Sequence, residues 1–414
     1  TAMGGRCLNK WLRYPILDKK EINLRLDAVS EAKKHTGIRR NIRQNLKNIY
    51  DLERLGSKIS MGQANAKDLT ALKHSLFNIP KIVSDLSQFQ SKLFTEIPYV
   101  EKTYDLARLI DRAISEDAPP VLNEGGIFNK DYNKELDILI AISTDAKKWL
   151  AKIEARQRKE TGINSLKVSY NKIFGYYIEV SKIHSDKVPA YYIRKQTLVN
   201  VERYITDELK TFESKVLTSQ EQRALLEYKL FAELKAIIVE NHEDIYKLAH
   251  FIGVIDCLLS FAETADLQNY VKPKITTDSN IIINEGRHPV VEKLLIGERF
   301  VPNSIILDNL ANQILIITGP NMAGKSTVLR QVALIVLMAH IGSFVPAQSA
   351  SISITDRIFT RVGALDNLSS GRSTFMVEME ETANILNNAT SKSLVILDEI
   401  GRGTSTFDGL SIAW

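Results

Sequence analysis

The stretch Gly319-Pro320-Asn321-Met322-Ala323-Gly324-Lys325-Ser326-Thr327 constrains this chain more than any other. The apolar run before it, Ile314-Leu315-Ile316-Ile317, predicts a buried strand, and the segment after it, Val328 to Leu337, predicts a helix. Strand, Gly-x-x-x-x-Gly-Lys-Ser loop and helix, in that order, make a phosphate-binding loop. Such a loop turns backbone N–H groups and the positive end of the helix toward one anion. Lys325 can then reach the β- and γ-phosphates of a nucleotide, and Ser326 can ligate Mg²⁺.

A second segment suits the same site. Leu394-Val395-Ile396-Leu397 predicts a strand that delivers Asp398 and Glu399 to its polar end. Asp398 would hold Mg²⁺ directly or through water, and Glu399 would orient or deprotonate an attacking water. Ile281-Ile282-Ile283 and Ile305-Ile306-Leu307 add short β-type runs, so the chain from about residue 275 reads as an α/β sheet domain.

The rest of the chain has a different texture. With 414 residues, 44% of them hydrophobic, two or three packed domains are expected. Ile22, Leu26 and Val29 recur at helical spacing, as do Leu69, Leu72, Leu76 and Ile79, then Leu136, Leu139, Ile140 and Ile153. Ala118-Pro119-Pro120 and Gly125-Gly126 mark a loop. Between about 165 and 203 the period changes to two. Leu166, Val168 and Tyr170 alternate, then Phe174, Tyr176, Ile178 and Val180, with Asn171-Lys172 between them, which predicts a β-hairpin. Helical spacing returns at Leu209, Phe212, Val216, Leu226, Leu230, Leu234, Ile237 and Ile238 and persists, with breaks, to about Ala265.

Charge permits a nucleic-acid partner without requiring one: the net charge is +5 and the pI about 8.9. The β excursion holds Lys167, Lys172, Lys182, Lys187, Arg194, Lys195 and Arg203, interleaved with Tyr170, Tyr176, Tyr177, Tyr191 and Tyr192. Such a unit can grip phosphates without reading bases. Cys7 and Cys257 read as reduced packing thiols of a cytosolic protein. No apolar run approaches the ~20 residues of a membrane span. The chain starts at Thr1 and stops within an apolar run at Trp414, so it is expected to be part of a longer protein.

With these segments assembled, the chain resembles the MutS family of bacterial DNA mismatch repair proteins. The resemblance rests on Thr318 to Thr327, Ser370 to Met379 and Leu397 to Thr406, and upstream on Met3 to Leu12, Gly175 to Val180, Tyr192 to Leu198 and Gly286 to Val290. It implies a multidomain α plus α/β protein. The layout would be a helical core and lever over 1–145 and 207–270, a DNA clamp over 146–206, and a P-loop (ABC-type) ATPase domain over 275–414. Asn321 would join Lys325 and Ser326 at the phosphates, beside Gly319, Pro320, Met322, Ala323, Gly324 and Thr327 of the same loop. Phe300 and Val301 would pack the adenine base. Ser373, in a hydroxyl-rich signature loop, would reach the nucleotide of a second subunit, and Gly401 to Thr406 would lie at the dimer interface. Lys172, Arg194 and Lys195 are the expected contacts to DNA phosphates.

The implied activity is a DNA-dependent ATPase with ATP/ADP and Mg²⁺ as ligands. Mismatched double-stranded DNA, a homodimeric partner subunit and a downstream repair mediator protein are the implied partners, in the bacterial cytoplasm at the nucleoid. The family's mismatch-reading Phe-x-Glu wedge is not expected here: Phe231-Ala-Glu233 and Phe261-Ala-Glu263 lie in helical stretches, each Phe reading as core and each Glu as surface. A switch histidine and a helix-turn-helix would follow Trp414, and neither His288 nor His340 matches that histidine. Two other readings share parts of the pattern. One is a related dimeric P-loop ATPase of transport or chromosome maintenance. The other is a fragment that holds nucleotide or DNA but turns nothing over.

Overall fold

The structure is a computed structural model. It describes the chain except residues 99, 122–124, 172–174, 296, 321, 362–373, 402–405 and 414, and describes no side chain at 143–147, 374, 406 and 413. The elements run α1 (Ala2–Arg13), α2 (Lys19–Lys34), α3 (Thr36–Leu46), α4 (Leu52–Ser60), α5 (Ala66–Leu86), α6 (Lys92–Thr95), α7 (Val100–Ala113) and α8 (Lys134–Thr161). A four-stranded excursion follows: β1 (Lys167–Asn171), β2 (Gly175–Ser181), β3 (Ile193–Thr197) and β4 (Val201–Ile205). Two long helices return, α9 (Asp207–Glu240) and α10 (His242–Leu267). The remainder is β5 (Lys274–Thr276), β6 (Ile281–Gly286), α11 (Val291–Leu294), β7 (Asn303–Leu307), α12 (Lys325–His340), β8 (Ser349–Ser353), β9 (Ile358–Arg361), α13 (Thr374–Asn388), β10 (Leu394–Leu397) and α14 (Thr406–Ala413). These elements form two compact units.

The first unit holds residues 1–53, 78–100 and 244–414. Its helical part is built around α10, whose buried face runs from Ile245 to Ala265. By length and composition α10 could cross a membrane, with a mean hydropathy of 1.5 over its best window. That corrects the expectation that no apolar stretch is so long. The apolarity serves packing instead, because Leu248, Ala249, Leu258, Leu259 and Ala262 are fully buried inside the unit. Trp11 of α1 meets Phe261 of α10 at a ring separation of 6.0 Å, and Arg25 of α2 lies 3.6 Å over the Trp11 ring. Cys7 and Cys257 are both buried, and the Cys257 thiol donates to the Gly4 carbonyl at 3.2 Å.

Two sheets complete this unit. The larger has the order β5-β8-β6-β7, with β5 parallel to β8 and antiparallel pairing between β8 and β6 and between β6 and β7. The smaller pairs β10 with β9 in parallel. α12 packs against β6, β9 and β10. The run 314–317 is a predicted strand that does not form. It joins no ladder among the described residues, and Ile314 and Ile316 are 82% and 84% exposed. An apolar run becomes a strand only where another strand accepts its backbone hydrogen bonds, and among the described residues β10 pairs with β9 alone.

Two buried histidines pin the α/β part. His340, at the end of α12, bonds the Val336 carbonyl through Nδ1 at 2.8 Å and accepts the Thr355 N–H at Nε2 at 2.9 Å. His288 accepts the N–H groups of Val290 and Val291 at Nδ1. An imidazole that accepts a backbone N–H must be neutral at that nitrogen. Burial pushes both below the ordinary histidine value of 6.5. The unfolded chain therefore binds protons more readily, so their stabilisation is complete above about pH 6.5 and is lost as the pH falls below it. Thermal melts at pH 7.5 and 5.5 should show a smaller drop for His340→Gln than for the wild type. An equal drop would remove His340 as a source of acid sensitivity.

The second unit holds residues 54–77 and 101–243. α8 and α9 run antiparallel, since Trp149 stacks on Phe212 at 3.6 Å while Arg156 pairs with Glu208. Asn133 caps α8 through its side chain, Gly162 ends it, and Thr206 caps α9. Between the two helices the excursion forms an antiparallel sheet of order β1-β2-β4-β3. The predicted hairpin is thus half of a larger sheet. Ile163, Leu166, Ile178, Val180, Tyr192, Tyr204 and Leu209 form its core.

Candidate functional site

Gly319, Met322 and Gly324 have φ of +152°, +68° and +87°. Gly324 is the N-cap of α12 and offers no side-chain cap. A glycine holds that left-handed angle without steric cost, leaving the first N–H groups of α12 open to an outside anion. The ammonium of Lys325 folds back and donates to the carbonyl oxygens of Gly319 at 2.6 Å and Pro320 at 3.0 Å. A strong cation is thus stored on two weak acceptors, which phosphate oxygens can replace. Lys325, Ser326 and Thr327 are half-buried, whereas Met322 is fully exposed. Asn321 and Ser373 lie outside the described residues.

The acidic pair follows β10 as expected. Asp398 is buried, and its N–H donates to the Arg361 carbonyl of β9 at 2.7 Å. Glu399 is exposed, with φ of +55°. Such an angle in a residue with a Cβ costs about 1–2 kcal/mol and persists where neighbours over-determine it. Because α12 packs on β10, the loop's helix and the acidic strand belong to one packed layer pair. Phe300 is half-buried and Val301 is 77% exposed, on the segment leading into β7.

On the four-stranded sheet of the second unit the basic residues separate into used and unused charges. Arg203 donates to Glu179 at 3.1 Å and Gln196 at 3.0 Å and lies 4.5 Å over the Tyr177 ring. Arg194 is exposed but pairs with Glu202 at 3.2 Å. Lys195 is exposed and makes no ion pair among the described residues. The ladder between β3 and β4 slips at this residue, since Arg194 pairs with Tyr204 and Gln196 with Arg203. A bulge re-aims the extra side chain, and here that side chain is Lys195 on an edge strand. Tyr192 is buried in the core and Tyr177 is buried beneath Arg203, whereas Tyr170 and Tyr191 are about half exposed. Lys172 lies outside the described residues.

Comparison with known proteins places both regions. The family profile described as MutS domain III matches residues 1–262, and that described as MutS domain V matches residues 315–414. The chain belongs to the MutS family. It is 59% identical over its whole length to the DNA mismatch repair protein MutS of Desulforapulum autotrophicum, covering 47% of that protein. It is 54% identical to the MutS of Desulfosudis oleivorans and 52% identical to that of Acetivibrio thermocellus, covering 48% of each. The chain therefore spans about half the length of the MutS relatives it matches. Residues 263–314, with Phe300 and Val301, fall between the two profile matches.

The Phe-x-Glu segments are helical, as their spacing predicts. Phe231 is buried and Glu233 exposed. Glu263 departs from the surface reading: it accepts from buried Arg39 at 2.8 Å and pairs with Arg43 at 3.1 Å. Nothing in the spacing of the Glu263 segment signals that pairing, because the cations come from α3, more than two hundred residues away.

Proposed function

We propose that this chain is the core, clamp and nucleotide-binding part of a DNA mismatch repair ATPase. The observation that carries the reading is Lys325 held on its own loop carbonyls at the head of α12, a helix that packs on the strand ending in Asp398 and Glu399. In this reading the domains are 1–145 with 207–270, 146–206 and 275–414. The α12 N–H groups and Lys325 bind the β- and γ-phosphates, and Asn321 adds a polar contact. Ser326 and Asp398 hold Mg²⁺, and exposed Glu399 orients the attacking water. Mg²⁺, when bound, neutralises charge developing on the transferred phosphoryl group. Phe300 and exposed Val301 receive the base. Ser373 completes the site of a second subunit in a homodimer.

The sheet unit supplies a grip on duplex DNA that is independent of sequence, through Lys172, Arg194 and Lys195. Lys195 is the favoured contact, because Glu202 already shares the charge of Arg194. ATP state would then alter the hold on DNA, in a cytoplasmic protein that hands the mismatch to a repair mediator. The parts of the MutS relatives that lie outside this chain's match supply the rest of that cycle.

Steady-state hydrolysis of Mg²⁺-ATP, with and without duplex DNA, tests the reading. Wild-type turnover should disappear in Glu399→Ala while nucleotide binding persists. Lys195→Glu should weaken duplex binding about equally for all sequences and reduce the logarithmic salt slope by about one. Turnover that survives Glu399→Ala would remove the catalytic carboxylate, and an unchanged salt slope would remove Lys195 from the DNA interface. Bound ATP with no turnover in the wild type would leave a binding fragment.

A further inference from the structure

We infer that Glu378 is a positioning residue that ties helix α13 to the turn carrying Asp398 and Glu399. The inference rests on the reading that this turn serves a nucleotide. The turn is anchored at both ends. At its start the Asp398 N–H donates to the Arg361 carbonyl at 2.7 Å. At its end the Gly401 N–H donates to the Glu378 carboxylate. Arg361 and Glu378 are themselves paired at 3.6 Å, and both are buried, at 5% and 2% exposure. Arg361 also pairs with Glu381, one turn further along α13, at 3.1 Å. The two anchors thus form one closed circuit: the residue whose carbonyl holds the start is bound through its side chain to the carboxylate holding the end.

Three features show that this circuit determines the turn. Glu399 sits between the anchors in a left-handed conformation that persists only where its surroundings impose it. Gly401 has φ of +80°, and a Cβ there would stand 2.7 Å from the Gly409 Cα of α14, so the far side of the turn is closed by backbone. A carboxylate as buried as Glu378 is tolerated only with a charge partner and a donor, and it has one of each. Glu378 lies one turn into α13, which begins directly after residues 362–373. A shift of α13 along its axis therefore pulls on the Gly401 N–H and on Arg361 together, and re-aims Glu399. Glu378 touches no nucleotide and acts through the turn.

Two conservative variants separate positioning from simple burial of an ion pair. Glu378→Asp keeps the charge for Arg361 but shortens the reach to Gly401. Glu378→Gln keeps the reach and an acceptor oxygen but gives up the charge. The readouts are amide hydrogen exchange over residues 398–401 and the kcat and KM for Mg²⁺-ATP, each on the full chain. Glu378→Asp should speed exchange there and lower kcat about ten- to a hundredfold, the size of one lost charge-assisted hydrogen bond, with KM little changed. Glu378→Gln should stay closer to wild type in both. The opposite order, with the glutamine variant the more damaged, would show an ion pair that only stabilises the fold and would overturn the inference. So would wild-type exchange and kcat in Glu378→Asp. If the wild type turns over no ATP, the functional reading falls, while the exchange measurement still decides whether Glu378 sets the turn.

Discussion

Replacing Arg39 by methionine is expected to destabilise the helical part of the first unit by about 3 kcal/mol, the lower end for breaking a buried charge pair. Arg39 is 1% exposed, yet each nitrogen of its guanidinium has a partner. Nε donates to Glu263 at 2.8 Å, one terminal nitrogen to Asp266 at 2.7 Å, and the other to the carbonyls of Ala32 and Lys33 at 3.1 and 3.2 Å. Those two carbonyls lie in the last turn of α2, where helical partners run out. One side chain thus ends α2, seats α3 and holds α10. Methionine preserves the length and the apolar stem, so the loss isolates the charge and the donors. It takes the guanidinium donor from the Ala32 carbonyl and leaves that of Lys33 to the Thr36 hydroxyl at 3.4 Å, and it leaves Glu263 and Asp266 as like charges three residues apart on α10. Solvent reduces the loss, since Asp266 is 40% exposed and Glu263 keeps Arg43. Arg39→Lys should fall between, because a single ammonium cannot fork to both carboxylates. Denaturant midpoints at fixed slope measure this, and a loss below about 1 kcal/mol would place Arg39 among weak surface pairs.

Arg39 also shows where the sequence was readable and where it was not. In Ile38-Arg39-Arg40-Asn41 nothing distinguishes the two arginines, yet one is buried and the next exposed. Helical spacing identifies a buried face from its apolar residues, and Ile22, Leu26 and Val29 are all fully buried. It cannot see a charge neutralised from a distant helix. Glu378 is hidden for the same reason, because its partners Arg361 and Gly401 reach it from other elements. The run 314–317 failed differently. Its composition records a capacity to be buried in a sheet, but a strand also needs a pairing edge, and none is found among the described residues. The start of α12 after Gly324 and the end of β10 at Asp398 were legible because their signals are local. Adjacent residues supply the backbone angles, the helix start and the lysine. The bulge at Lys195 was not, since a register slip is a property of two strands.

In the proposed nucleotide site, locality of that kind makes Lys325 the most consequential single position. Lys325→Ala is expected to lower affinity for ATP by about two to three orders of magnitude. The ammonium would give charge-assisted hydrogen bonds to two phosphates, each worth about 1.5–3 kcal/mol, and about 1.4 kcal/mol is a factor of ten. The resting contacts reduce that gain only slightly. In the present state the ammonium rests on the neutral carbonyls of Gly319 and Pro320, weaker acceptors than phosphate oxygens. They also keep the side chain folded over the loop, so little rotamer entropy remains to be lost when a nucleotide arrives. Lys325→Arg tests the geometry separately from the charge. A planar guanidinium has a longer reach and a fixed fork, and it cannot take both carbonyl positions that a compact ammonium reaches over six residues. Affinity should therefore stay well below wild type despite the retained charge. Titration with a fluorescent ATP analogue, with and without Mg²⁺, checks both variants. The alanine loss should persist without the metal, because in the proposed site Lys325 would meet phosphate directly. An alanine variant that binds within about threefold of wild type would mean that the loop holds its phosphates by the helix terminus alone.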